Sequence, residues 1–130
     1  KLLDPLDNAV RNTRVLARRA VVILEDDVPL DVRILDSISL MSEATGVVYS
    51  MLTEGDNRHT TEQEAARAII SVAVRTAFQL DPSDPSGMHG PVIHAQIRST
   101  LIDLLQVCGM SREEAVQSIP AIGSTGHHPA

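Results

Sequence analysis

Four stretches of this chain repeat apolar side chains at intervals of three and four, each closed by a Gly, a Pro or a polar cluster. That spacing lines one side of a helix with apolar groups, whereas a half-buried strand would alternate. In the first stretch the row is Leu6, Ala9, Val10, Thr13, Leu16, Ala17, Ala20 and Leu24, widened by Val21 and Ile23. Asp4-Pro5 suits its start, because Asp can cap and Pro is tolerated in a first turn. Glu25-Asp26-Asp27 opposes the helix dipole, so an end near Asp26 is expected, with Val28-Pro29 in the turn.

Asp31 can cap a second helix reaching about Glu54, with Gly55 as its terminator. Its apolar row is Val32, Leu35, Ile38, Met41 or Ser42, Thr45, Val48 and Leu52, flanked by Ile34 and Met51. Gly46 costs about 1 kcal/mol against Ala in mid-helix, which close helix approach would offset. Thr61-Glu62-Gln63-Glu64 has capping-box spacing for a third helix, expected to reach about Leu80. Ala65, Ala66, Ala68, Ile69, Ile70, Val72 and Ala73 blur its faces, so this helix is expected to be the most enclosed. The Pro-, Gly- and Asp-rich run from Asp81 to Gly90 reads as a loop. Pro91 then begins a fourth helix carrying Ile93, Ile97, Leu101, Leu104 or Leu105 and Cys108, with Gly109 as its end. Ser111-Arg112-Glu113-Glu114 is a second capping box, opening a short helix stopped by Pro120.

The expected fold is therefore all-α: an antiparallel bundle of four long helices plus a short C-terminal helix, spanning residues 1–120, with 121–130 as a disordered tail. Tyr49 and Phe78 are the only aromatic residues, so the core is built from Leu, Ile, Val, Ala and Met. Lacking aromatic platforms and carrying net charge −6, the chain is not expected to bind nucleic acid.

Catalytic constellations are missing. Cys108 is the one cysteine and reads as a small core residue. His59, His89, His94, His127 and His128 complete no metal-ligand spacing, and no cofactor is expected. Asp36, Glu43 and Asp103 are carboxylates on helices otherwise lined with apolar residues, and Asp36 and Glu43, seven apart, read as a solvated face. No enzymatic activity is expected. The most suggestive pattern is basic: Arg11, Arg14 and Arg18 at i, i+3 and i+7, with Arg19 adjacent. Up to Asp26 there are five basic residues against four acidic ones; beyond it, thirteen acidic against six basic. A basic first helix fits contact with anionic lipid head groups or another anionic ligand.

Leu6-Asp7-Asn8-Ala9-Val10-Arg11-Asn12-Thr13-Arg14-Val15-Leu16-Ala17-Arg18-Arg19-Ala20 resembles a segment of actinobacterial membrane proteins of the fusaric acid resistance, or aromatic acid exporter, family. Ala95-Gln96-Ile97-Arg98-Ser99-Thr100-Leu101-Ile102-Asp103-Leu104-Leu105, with Gly109-Met110 and Glu113-Glu114-Ala115, resembles the C-terminal end of the same proteins. The resemblance implies a cytoplasmic, non-catalytic region at the membrane face of an efflux protein, serving assembly, gating or partner contact. Its partners would be the membrane-embedded part of its own parent chain and a second copy of itself. The chain begins with Lys rather than Met, which suits an expected fragment, and no apolar run approaches the roughly 20 residues of a span. Two alternatives belong to other classes: a free-standing regulatory or adaptor bundle, and a small-molecule sensor in which Arg98 or Arg75 meets a carboxylate.

Overall fold

The computed structural model describes residues 3–53, 58–77, 87 and 89–120, and every regular element among them is helical. In chain order these are α1 (Leu3–Glu25), α2 (Val32–Thr53), α3 (Arg58–Thr76), α4 (His89–Val107) and α5 (Arg112–Ser118). The four long helices form an antiparallel bundle, and α5 packs beside α4. Two contacts fix the direction of α3 against α4. At one end His94 donates from Nε2 to the carbonyl of Thr76, 2.5 Å away. At the other, Gly109 lies against Glu62, near the start of α3.

The centre of the bundle is α4, which packs on α1, α2, α3 and α5. Residues 100–105 of α4 are all buried, and Ile93, Ile97 and Cys108 join them as the spacing implies. This corrects the expectation that α3 is the most enclosed helix. Gln63, Glu64, Arg67, Ser71 and Arg75 stay exposed on α3, which leans mainly on α2 and gives one side to solvent.

In the first two helices only part of the expected rows turns inward: Ala9, Leu16 and Ile23 of α1 and Met41 and Val48 of α2 are buried as the spacing implies, and other members are not. The inward row of α1 is Ala9, Leu16 and Ile23, seven apart, interleaved with half-buried Pro5, Asn12 and Arg19. Val10, Thr13, Ala17 and Leu24 point outward, Leu24 being 79% exposed. On α2 the buried row is Ile34, Ser37, Met41, Ala44, Val48 and Met51, so the supposed flanking residues Ile34 and Met51 are central. Val32 is 64% exposed and Leu35 50%. Both helices carry two apolar rows, and packing selects the row that sets Ile34, Met41 and Met51 into the core. Burying such a side chain contributes about 1.5–3 kcal/mol, enough to decide between the rows.

Helix ends follow local chemistry. Asp31 caps α2, its Oδ1 accepting from the backbone N–H of Arg33 at 2.9 Å. Ser111 and Glu114 form the expected capping box of α5. Gly109, at φ 101°, closes α4 with N–H bonds from Met110 to the Leu105 carbonyl and from Gly109 to that of Gln106. The same double bond closes α1, from Val28 to Ile23 and from Asp27 to Leu24, with Asp27 in the left-handed position at φ 53°.

Other boundaries differ from the sequence reading. Because α1 already includes Leu3, Asp4 is a first-turn acid. Because α3 starts at Arg58, Thr61 lies inside it and the Thr61–Glu64 spacing is not its cap. Its start at His89 puts Pro91 in the first turn of α4, where a missing N–H costs nothing. Open space surrounds Gly46, so close helix approach does not explain it. α3 ends at Thr76, short of the expected end near Leu80, with Ala77 already outside the helix. The expected end at Glu54–Gly55, most of the 81–90 loop and the 121–130 tail lie outside the described residues.

Candidate functional site

Two basic surfaces arise from these helices, one on the outside of α1 and one between α1, α4 and α5. On the outside, Arg11, Arg14 and Arg18 are exposed, and 100° per residue places them along one ridge. Arg11 meets Asp7 at 3.2 Å, both side chains 70% exposed, a surface pair worth about 1 kcal/mol at most. Arg14 and Arg18 make no hydrogen bond or ion pair among the described residues. Beside the ridge runs the outward apolar row Val10, Ala17, Val21 and Leu24. Arg19 does not belong to the ridge. It is half-buried, seven residues after Asn12 on the side turned to α4, and shares a shallow depression with Val15, Arg18 and Val22.

The second surface is a half-open cleft of about 460 Å³. Asn8, Arg11 and Asn12 enter it from α1, Arg98 and Ser99 from α4, and Arg112 from α5. Ile102 and Val116 are its apolar walls. In its floor lies Asp103, 3% exposed, whose Oδ2 accepts from Asn12 Nδ2 at 2.5 Å. Burial pushes the Asp103 carboxyl above the ordinary carboxylate value, against the opposing pull of the Asn12 bond and the Arg112 charge. Arg112 is presented by the Ser111 cap, which fixes the first turn of α5. Arg98 is half-buried and makes no hydrogen bond or ion pair among the described residues.

Of the arginines marked by sequence, the structure sets Arg11, Arg14 and Arg18 along one ridge and places Arg19 off it, beside Arg18. Of the two suggested for a sensor, Arg98 enters the cleft, whereas Arg75 is exposed near the end of α3. Sequence reasoning missed Asn8, Asn12 and Arg112. A signal for Asn12 was present: it stands seven residues before Arg19, so a polar pair interrupts the row of Ala9, Leu16 and Ile23.

Elsewhere the chemistry is quiet. Cys108 is buried, and burial, with Glu62 nearby, raises its thiol to about 11, so it holds its proton at neutral pH. Asp36 and Glu43 are both exposed on α2. Among the described residues, no three His, Cys, Asp or Glu side chains are placed to share a metal ion, and no helix is long and apolar enough to cross a membrane.

No protein-family model matches the chain, and no solved structure matches it. An uncharacterized protein of Corynebacterium glutamicum is 36% identical over 135 aligned residues, covering 99% of this chain and 33% of the relative. The chain thus spans about a third of the length of the curated relative it matches.

Proposed function

We propose that this chain is a non-catalytic helical module of a longer membrane efflux protein of the fusaric acid resistance type. In this reading it works at the cytoplasmic face, where the outer side of α1 meets anionic lipid and the membrane-embedded part of the same protein. The observation that carries the proposal is the outward face of α1: exposed Arg11, Arg14 and Arg18 beside exposed Val10, Val21 and Leu24. A basic ridge flanked by an apolar row is the make-up of a helix that lies against a membrane interface. Each arginine near an anionic surface contributes about 1 kcal/mol, so the ridge supplies about 3 kcal/mol. That is weak for a free protein and sufficient to orient a tethered one, because tethering raises the local concentration.

The two resembling segments lie on α1 and from α4 into α5, the helices that build both basic surfaces. Alignment of nearly the whole chain to a third of a longer relative supports a module rather than a free-standing adaptor. Assembly, gating or partner contact, including weak self-association through the same apolar row, is the corresponding role.

The test is co-sedimentation with vesicles of phosphatidylserine in phosphatidylcholine, using the wild-type chain and Arg14→Glu/Arg18→Glu. Binding is expected at low salt, to weaken as salt rises, and to fall at least about tenfold in the variant. Equal binding by both proteins would overturn the role given to the ridge.

A further inference from the structure

We infer that the cleft between α1, α4 and α5 binds a small phosphorylated polyol, held at its phosphate by Arg98, Arg112 and Arg11. This inference is separable from the membrane reading: Arg11 belongs to both surfaces, but Arg98 and Arg112 stand on α4 and α5, away from the outer ridge.

The charges point to an anion. Three guanidinium groups line the cleft against one carboxylate, Asp103. Arg98 is half-buried without an ion pair or hydrogen bond among the described residues, and Arg11 has only its exposed pair with Asp7. An anion in the cleft supplies the partner that Arg98 lacks among the described residues. Exchanging the Arg11–Asp7 pair for a ligand sacrifices little, since both groups are largely exposed.

The geometry favours phosphate over carboxylate. The arginines come from three different helices, and an anion that serves all three needs at least three acceptor oxygens. A carboxylate has two oxygens in one plane and suits one fork or two; a phosphate has three free oxygens arranged in space. A cleft of about 460 Å³ lies in the range of small organic ligands, so there is room beyond the phosphate.

The remaining walls describe the rest of the molecule. Asn8, Asn12 and Ser99 offer amides and a hydroxyl, and Asp103 can accept a bond from a ligand hydroxyl. Among the described residues Ile102 and Val116 are the only apolar walls, and no aromatic ring lines the cleft. A nucleobase or an aromatic acid would find nothing to stack on. A polyhydroxylated body carrying a phosphate fits the donors and acceptors present. Both a soluble sugar or polyol phosphate and the head group of an inositol lipid carrying a phosphomonoester on its ring have this chemistry.

The experiment is a heteronuclear NMR titration of the 130-residue chain with myo-inositol 1-phosphate, alongside myo-inositol and inorganic phosphate at equal concentrations. Shifts are expected at the Ser99 amide and the Ile102 and Val116 methyls, with a Kd of about 0.1–1 mM, at least about tenfold tighter than for either fragment. Arg98→Gln should weaken binding about tenfold, with Arg98→Lys intermediate, whereas Arg14→Gln should leave it unchanged. Wild-type spectra carry the test even where a variant folds poorly. No shift at about 10 mM ligand, shifts confined to the outer ridge of α1, or full affinity in folded Arg98→Gln would each overturn the site. Vesicles carrying phosphatidylinositol 4-phosphate separate the sources. Displacement of inositol phosphate by them, and not by phosphatidylserine vesicles of equal charge, identifies a lipid head group; no displacement by either identifies a soluble ligand.

Discussion

α1 and α4 are similar in length and lie against each other, yet they are held in opposite ways. α4 meets four other helices and six consecutive residues, 100–105, are buried, with only the side of Pro91, Ala95 and Ser99 left exposed. Among the described residues, extensive packing of α1 is confined to α4, which leaves Val10, Val21 and Leu24 in solvent beside the arginine ridge. Stability is therefore concentrated in α4, while α1 has a whole face free for another surface. An apolar row on a helix means something different in the two places: core in α4, and in α1 both a core seam and an outward face.

The largest test of this contrast is a pair of truncations. Leu101→Ala, at a fully buried position on α4, is expected to cost about 2–5 kcal/mol in urea unfolding. Leu24→Ala, at an exposed position on α1, should stay within about 0.5 kcal/mol. Comparable losses would mean that α1 is packed as tightly as α4.

The two helix ends sharpen the comparison, because the same motif closes α1 with Asp27 and α4 with Gly109. Gly109→Ala places a Cβ at φ 101° and 3.2 Å from a Glu62 oxygen, so a loss of about 1–3 kcal/mol is expected. Asp27→Gly relieves the left-handed strain at φ 53° and should gain about 0.5 kcal/mol. A gain at Gly109 or a loss at Asp27, read from thermal melts, would contradict the motif.

Where the two helices touch, Asp103 gives the smallest and most pH-specific effect. Its folded-state proton affinity is raised by burial, so the native state binds that proton more tightly than the unfolded chain. The contribution to stability is thus most favourable below the ordinary value of 3.8 and declines as pH rises through the raised one. Asp103→Asn should melt about 2–4 °C above wild type at pH 7, and the difference should close near pH 3. An equal difference at both pH values would remove burial of the charge as its cause.

How much of this was legible in the sequence depends on the number of apolar rows a segment carries. Ile93, Ile97, Leu101, Leu105 and Cys108 make one dominant row, and the structure buries all of them. In α1 and α2 two rows compete, and periodicity alone does not reveal which one the neighbours cover; Ile34 and Met51 became central while Leu35 stayed exposed. End signals were readable where a side chain bonds its own backbone, at Asp31 and Ser111. Thr61–Glu64 misled because the same spacing recurs inside a helix. For the site, the i, i+3, i+7 spacing of Arg11, Arg14 and Arg18 was visible as a ridge. The cleft was not, because Asn12, Asp103 and Arg112 converge only through the packing of α1 on α4 and the fold-back of α5.

The central claim is that α1 carries the contact surface while α4 carries the fold. Amide hydrogen exchange of the whole chain, with and without anionic vesicles, tests it most directly. In the free protein α1 should exchange ahead of α4, and vesicles should slow exchange in α1 while leaving α4 unchanged. Uniform protection of the two helices with no response to vesicles would contradict the account.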